Sequence, residues 1–241
     1  MDAQASPPSP DRPDPTAIDW SLKDKARKDF ARCANLAFLI KCFGIGLIAL
    51  LIPITLPLVG GYDGHYSISY FYYVPAARNW FVGLLWAVGV FLILFQGLSK
   101  WENLFLTAAG VLLILVAMVP TGSDQCSESM FSWHAAFAVA FFLCLFVVAI
   151  FFSKTRLDYI LWPPLRARFA MAYNVTGGLM IALPALAYGV HLVDGRDCGH
   201  EIFWIEAAAI LAFSLYWFVK TWEYKRLLGL SMRAILSQLR A

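Results

Sequence analysis

Long apolar blocks alternate with short polar joints along almost the whole chain after residue 34. Each block suits a helix crossing the roughly 30 Å hydrocarbon core of a bilayer, which takes about 20 residues. Backbone polar groups in lipid must be paired within each segment, whereas barrel strands are about half as long and alternate in polarity. The pattern predicts an all-α polytopic membrane protein with six transmembrane helices: Leu36–Leu58, Trp80–Leu98, Leu104–Val119, Phe131–Phe152, Phe169–Val190 and Ile202–Trp222.

Composition supports this prediction and divides the chain into three parts. Of the 241 residues, 60% are hydrophobic and 15% charged, against about 25% charged in soluble domains. Residues 1–33 are expected to be a disordered proline-rich tail with a basic juxtamembrane segment, and residues 34–222 the transmembrane domain. Residues 223–241 resemble a basic amphipathic helix that lies on the inner membrane surface or binds a partner.

The distribution of Lys and Arg predicts an orientation with both termini inside. With that orientation, seventeen of the nineteen cations fall on the inner side, and only Arg78 and Arg196 lie outside. Short joints rich in Lys and Arg are retained in the cytoplasm, so we expect a multi-pass protein of the cell (inner) membrane. Anionic lipid accounts for the inner basic joints, and no nucleic-acid partner is inferred. A homo-oligomer is compatible with such apolar spans.

With this topology, all four histidines lie at the outer face: His65, His134, His191 and His200. Outer carboxylates accompany them, and imidazole with carboxylate is a ligand set that Zn²⁺ selects. The spacing matches no zinc signature, so unrelated interfacial histidines and a metal or proton site both remain open. Zinc is therefore a candidate cofactor only.

Two of the five cysteines, Cys126 and Cys198, are predicted in outer loops. An oxidising exterior favours a disulfide between them, which would join the last two outer loops. Two free thiols, or a mixed site of Cys198 with His200, are the alternatives.

Polar residues at the outer side of the predicted bundle form a candidate ligand-binding set. Glu206 lies within the last span, where an ionisable group is costly and marks a partner, a cavity or a site. We expect it to face the bundle and to pair with His134, Arg78 or a bound cation. An aromatic belt explains the tyrosines of the first outer joint, whereas Arg78 could bind a lipid phosphate. The full set is Ser67, Ser69, Arg78, His134, His191 and Glu206.

The inner side offers less chemistry. Glu102 and Asn103 flank the tight turn between the second and third spans, where capping and turn formation suffice to explain them. Polar groups are not expected to continue from the outer set to the inner side. The chain contains no Ser-His-Asp order, phosphate-binding glycine loop, CxxC pair or HExxH helix.

The string Tyr66-Ser67-Ile68-Ser69, followed by Pro75 and Arg78, resembles the first luminal loop of a six-span family, and the run continuing through Phe-Val-Gly to Gly83 is similar to certain uncharacterised bacterial membrane proteins. The six-span family comprises the damage-regulated autophagy modulators and the GPI-anchor lipid-remodelling factor. The His134-Ala-Ala start of span four and the Glu206 stretch look similar too. The resemblance implies a lipid-related or membrane-regulatory role and points to Ser67, Ser69, Arg78, His134 and Glu206.

Three functions compete at this point. The first is a membrane-homeostasis protein whose outer-facing pocket binds a lipid headgroup. The second is a metal-dependent intramembrane lipid hydrolase or acyl-modifying enzyme in which histidines hold a cation and Glu206 or His134 acts in catalysis. The third is a small proton-coupled transporter. Two features oppose it: the sequence shows no inverted repeat, and polar groups are not expected to continue towards the inner side.

Overall fold

The computed structural model describes residues 20–62, 67–97, 99–120, 132–194 and 201–228, with side chains described for all but 20–23 and 191–194. This part of the chain is all-α, with six helices: α1 Trp20–Gly60, α2 Pro75–Ile93, α3 Lys100–Met118, α4 Trp133–Val147, α5 Pro163–Asp194 and α6 Glu201–Leu227. A 3₁₀ helix, Ser69–Tyr73, precedes α2, and α4 continues through a π-helical turn, Val148–Phe152, into a second 3₁₀ helix, Ser153–Tyr159.

Each of the six predicted spans coincides with a helix long and apolar enough to cross a membrane. The helix ends differ from the apolar blocks. The second helix ends at Ile93 rather than Leu98, whereas α1, α5 and α6 are longer than their blocks because polar residues outside hydrocarbon can continue a helix. The first helix begins at Trp20 rather than Leu36, and α6 continues past Trp222 to Leu227, into the segment expected to be a separate tail. Pro53 and Pro57 lie inside α1, and Pro184 lies inside α5.

Among the described residues, 20–38 and 39–228 belong to two units that divide within α1, and the contacts described below lie within the second. In that unit α5 packs against α6, α2 against α3, α3 against α4, and α4 against α5. Glycines allow a close approach between α2 and α3: a Cβ on Gly110 would lie 2.5 Å from the carbonyl oxygen of Gly89. Small residues at helix contacts are typical of membrane bundles, where packing replaces the hydrophobic effect.

The last helix, α6, has one face for lipid and one for protein. Trp204 and Trp222 are 60% and 54% exposed. They are eighteen residues apart, which is five full helical turns, so they lie on the same face of α6. At 1.5 Å per residue, about 27 Å separates them along the helix axis. Leu211 and Leu215 are exposed on the same stripe. Because tryptophan favours the two membrane interfaces, this spacing matches the hydrocarbon thickness of about 30 Å.

Candidate functional site

The first connection places Ser69 at the end of the bundle where α1 finishes. Gly61 has φ 79°, a left-handed conformation that favours glycine. The 3₁₀ helix then packs through Phe71, which is fully buried and stacks 6.4 Å from the ring of Phe203 on α6. A Cβ on Gly60 would lie 2.8 Å from Phe71 Cε1, so the end of α1 and this helix are in tight contact.

Glu206 on α6 holds the start of this 3₁₀ helix. Its Oε2 accepts a hydrogen bond of 2.6 Å from the backbone N–H of Ile68, and the backbone of Ser69 hydrogen-bonds to the same carboxylate. Helix N-termini carry unpaired N–H groups that a carboxylate satisfies well. Glu206 thus faces the bundle, as expected. The expected direct pairing with His134 or Arg78 is not seen, and no described cation lies within ion-pair distance.

His134 and Ser69 form the most informative contact at this end. His134, buried in the first turn of α4, has Nδ1 2.7 Å from the carbonyl oxygen of Val119 and Nε2 2.9 Å from Ser69 Oγ. A carbonyl oxygen only accepts, so Nδ1 carries the proton and Nε2 of the neutral ring is the acceptor. The Ser69 hydroxyl therefore donates to Nε2. We call Ser69, His134, Glu206 and the backbone of Ile68 and Val119 the Ser69 site.

Arg78 lies near this site but is not joined to it by a hydrogen bond. Its guanidinium donates to the hydroxyl of Tyr72 at 2.8 Å and lies 4.4 Å from the centre of the same ring. The residue is exposed in the first turn of α2. Ser67 has a local role, since its Oγ accepts from the backbone N–H of Tyr70 at 3.2 Å.

The remaining predicted site residues cannot be placed with these. His191 lies in α5, but its side chain is not among those described. The described residues do not include His65, His200, Cys126 and Cys198. Within the described residues, no group of three His, Cys, Asp or Glu side chains could hold a metal ion. The described cysteines, Cys33, Cys42 and Cys144, are free thiols.

Exposed tryptophans mark the depth of the Ser69 site. Trp80, Trp133 and Trp204 are each more than half exposed, and each lies one or two residues from Arg78, His134 or Glu206. Tryptophan prefers the layer where lipid headgroups and ester groups meet the hydrocarbon. These polar residues therefore lie next to exposed tryptophans at one end of the bundle.

The sequence analysis missed a second polar cluster, at the opposite end of the bundle. Lys220 on α6 donates to Glu102 Oε1 on α3 at 2.8 Å, and both side chains are only 1% exposed. Arg156 lies 3.6 Å from the other oxygen of Glu102. Turn formation explains the presence of Asn103, because its Oδ1 accepts a hydrogen bond of 2.5 Å from the Gly97 N–H. It does not explain Glu102, which belongs to the buried ion pair. We call this the Lys220 cluster: Glu102, Ser153, Arg156, Tyr173, Tyr216, Lys220 and Glu223.

The signal for this cluster was present in the sequence. Lys220 is two residues before Trp222 and falls on the face of α6 opposite the lipid stripe, so it points into the protein about 3 Å inside the tryptophan level. The expectation that polar groups do not continue from the outer set to the inner side did not foresee a separate polar cluster buried at this end.

Comparison of the chain with protein-family models, with curated proteins and with solved structures gives no match. The function is therefore inferred from the residues of the Ser69 site and the Lys220 cluster.

Proposed function

We propose that the protein binds a membrane lipid by its headgroup at the Ser69 site and transfers or hydrolyses an acyl ester of that lipid, with Ser69 as the nucleophile. The observation that carries this proposal is the hydrogen bond from Ser69 to His134 Nε2, with His134 Nδ1 bound to the Val119 carbonyl. A nucleophile, a base in contact with it and a third group that orients the base are the parts of an activated serine.

Depth and exposure support a lipid substrate. The flanking tryptophans favour the layer of the membrane that contains ester groups, and Ser69 is partly exposed whereas His134 is buried. Arg78 is exposed one turn into α2 and could bind a phosphate through its guanidinium fork. Tyr72 would orient that guanidinium, because it contacts it through both the hydroxyl and the ring.

The proposed reaction uses only groups of the Ser69 site. Ser69 Oγ attacks the ester carbonyl while its proton passes to His134 Nε2. The tetrahedral intermediate collapses, the alcohol leaves with the proton from His134, and the acyl group stays on Ser69 as an ester. Water or a second alcohol then attacks that ester and gives its proton to His134, which returns it to Ser69 Oγ. The Val119 carbonyl stabilises the imidazolium that forms at each step.

Glu206 has a positioning role in this proposal. Its carboxylate binds the backbone of Ile68 and Ser69 and so fixes the serine against α4. It is not in contact with the His134 ring among the contacts described, and no proton transfer is assigned to it.

Labelling with a fluorophosphonate, which reacts with activated serines, tests the chemistry. In purified protein reconstituted in phospholipid, we expect mass spectrometry to find the label on Ser69. Ser69→Ala should abolish labelling, and His134→Gln should slow it by about 10²–10⁴-fold, the usual contribution of a general base. Ser132→Ala is the matched control, because Ser132 precedes α4 at the same end and its side chain makes no capping hydrogen bond; it should label normally.

Phospholipid that co-purifies with the protein separates binding from chemistry. Arg78→Gln should lower the amount of bound phospholipid while the Ser69 label persists. Bound lipid without any labelling of Ser69 would leave the headgroup-binding, membrane-homeostasis role and remove the enzyme. Absence of both would overturn the whole proposal.

A further inference from the structure

Hydrogen-bond directions inside the Lys220 cluster are fixed by its chemistry. The π-helical turn ends at Ser153, whose N–H and O–H both donate to the Val148 carbonyl. Ser153 Oγ, 2.8 Å from the Tyr216 hydroxyl, must then accept from it, so the Tyr216 oxygen is free to accept from Lys220 Nζ at 3.1 Å. Lys220 donates to Glu102 as well, and its pairing with that carboxylate favours the ammonium form. The hydroxyl protons of Ser153 and Tyr216, and the two protons that Lys220 donates, are therefore already used in hydrogen bonds.

Glu223 differs from its neighbours in the cluster. Its Oε2 accepts from the Tyr173 hydroxyl of α5, but its Oε1 is buried with no hydrogen-bond partner among the described residues. The whole side chain is 1% exposed. A buried carboxylate oxygen without a donor is costly when charged. Neutralisation by a proton lowers that cost, because a neutral carboxyl group is less costly to bury than a carboxylate.

Charged and titratable groups from the neighbouring elements face Glu223. Lys220 and Tyr216 are on its own helix, Arg156 and Tyr173 come from the second 3₁₀ helix and α5, Glu102 comes from α3, and Cys42 comes from α1. With Glu223 ionised, two carboxylates balance two cations; with Glu223 protonated, the cluster has one net positive charge. Burial favours the neutral form and the two cations favour the charged form, so these effects oppose each other.

The position of the cluster gives protons a route. Glu223 follows Trp222 directly, at the level of the membrane interface, and Tyr216 lies seven residues further into the bundle, about 10 Å away at 1.5 Å per residue. Beyond Tyr216, aromatic rings close the interior: Phe213 stacks 5.7 Å from Phe141 and 6.2 Å from Trp217. The polar groups thus reach from one surface partway into the membrane.

We propose that the Lys220 cluster is a proton-binding site and that Glu223 takes up and releases the proton at Oε1. The proton comes from water at that surface and returns to it, and no other bond is formed or broken. Because the Glu223–Tyr173 hydrogen bond joins α6 to α5, a change in charge on Glu223 alters the tie between these helices. The inference does not rest on the chemistry proposed for Ser69.

Infrared difference spectroscopy of the full-length protein in lipid tests this directly. We expect a carbonyl band of a protonated carboxylic acid that appears on acidification and disappears on raising the pH, while the protein stays folded. Glu223→Gln should remove this band. Asp158→Asn is the matched control, because Asp158 is an exposed carboxylate at the same end, paired with Arg166; the band should persist in that variant.

Tyr173→Phe keeps the ring and removes only the donor to Glu223, so it should move the midpoint of the band towards higher pH. This variant also provides the test if Glu223→Gln does not fold. A band that is absent or constant over the whole pH range in which the protein is folded would overturn the proposal, as would a titrating band that neither Glu223→Gln nor Tyr173→Phe changes.

Discussion

Lys220 and Glu102 are 118 residues apart in the chain, and their Nζ and Oε1 atoms are 2.8 Å apart in the buried interior. This ion pair joins the first turn of α3 to the last turns of α6. Lys220 also lies 5.4 Å from the ring centre of Phe95, so aromatic rings help to stabilise its charge. The pair therefore closes one end of the bundle, while the Ser69 site closes the other.

Breaking this pair should destabilise the protein strongly. Lys220→Met leaves Glu102 buried with Arg156 alone, and loss of one partner of a buried pair costs about 3–5 kcal/mol. Thermal unfolding in lipid or detergent, followed by intrinsic fluorescence, measures the loss. Lys100→Met is the control, because Lys100 is exposed beside the same helix end, and it should change stability by less than about 0.5 kcal/mol. Equal effects of the two variants would contradict the role of Lys220.

Gly97→Ala should disturb the same pair from the other side. A Cβ at Gly97 would overlap the carboxyl group of Glu102, so that side chain must shift and its hydrogen bond with Lys220 is disturbed. We expect a loss of about 1–3 kcal/mol, typical of overpacking. Gly83→Ala in α2 meets no atom within 4 Å and should raise stability slightly, by about 0.5–1 kcal/mol, as alanine is the better helix former. A neutral Gly97→Ala would mean that Glu102 is loosely held.

Glu206 should tolerate glutamine better than leucine. The glutamine side chain would keep an oxygen acceptor for the Ile68 N–H and lose the charge, costing about 1 kcal/mol, whereas leucine leaves that amide without its partner at about 1–3 kcal/mol or more. Unfolding temperatures of Glu206→Gln and Glu206→Leu decide this, with fluorophosphonate labelling of Ser69 as a second reading. A leucine variant as stable as wild type would show that the amides find other partners.

The lipid environment explains why the helices could be predicted and the contacts could not. An apolar block in hydrocarbon has to be helical, so six blocks predicted six helices. Glu206 and His134 stood out because polar groups within or at the edge of a span need partners. Which partner each side chain takes depends on the rotation of the helices and on the path of the loops. Ile68 lies in a connection, Val119 at a helix end and Ser69 in a 3₁₀ helix. The apolar pattern does not predict the positions of these segments.

The Lys220 cluster shows the opposite limit. Charged residues near span ends are usually interpreted as interfacial, because long side chains extend towards water. Glu102 and Lys220 are buried instead, and Arg156 from the second 3₁₀ helix lies 3.6 Å from Glu102. The clue lay in helix phase, because Lys220 is opposite the exposed Trp204–Trp222 stripe. The position of Lys220 around the axis of α6 predicts its burial only once the face of α6 that meets lipid is known.

The disulfide between Cys126 and Cys198 remains a prediction from the sequence. Both would lie in outer loops, where an oxidising compartment permits the bond. Mass spectrometry of unreduced protein, alkylated before lysis, should find the two peptides joined, and reduction should lower the unfolding temperature by an amount that corresponds to about 2–4 kcal/mol. Recovery of both peptides as free alkylated thiols would contradict the prediction. Cys33, a free exposed thiol, serves as the internal control for alkylation.

The orientation prediction decides which compartment each cluster faces. Seventeen of nineteen cations lie on the side assigned to the cytoplasm, which also holds the Lys220 cluster and the second 3₁₀ helix. A fluorescent protein that folds only in the cytoplasm should therefore report when fused after Asp158 or at the C-terminus. A phosphatase that folds only outside should report after Asp124 or Asp197. The reverse pattern would place Glu223 at the exterior and the Ser69 site at the cytoplasmic surface, and lipid for Ser69 would then come from the inner leaflet.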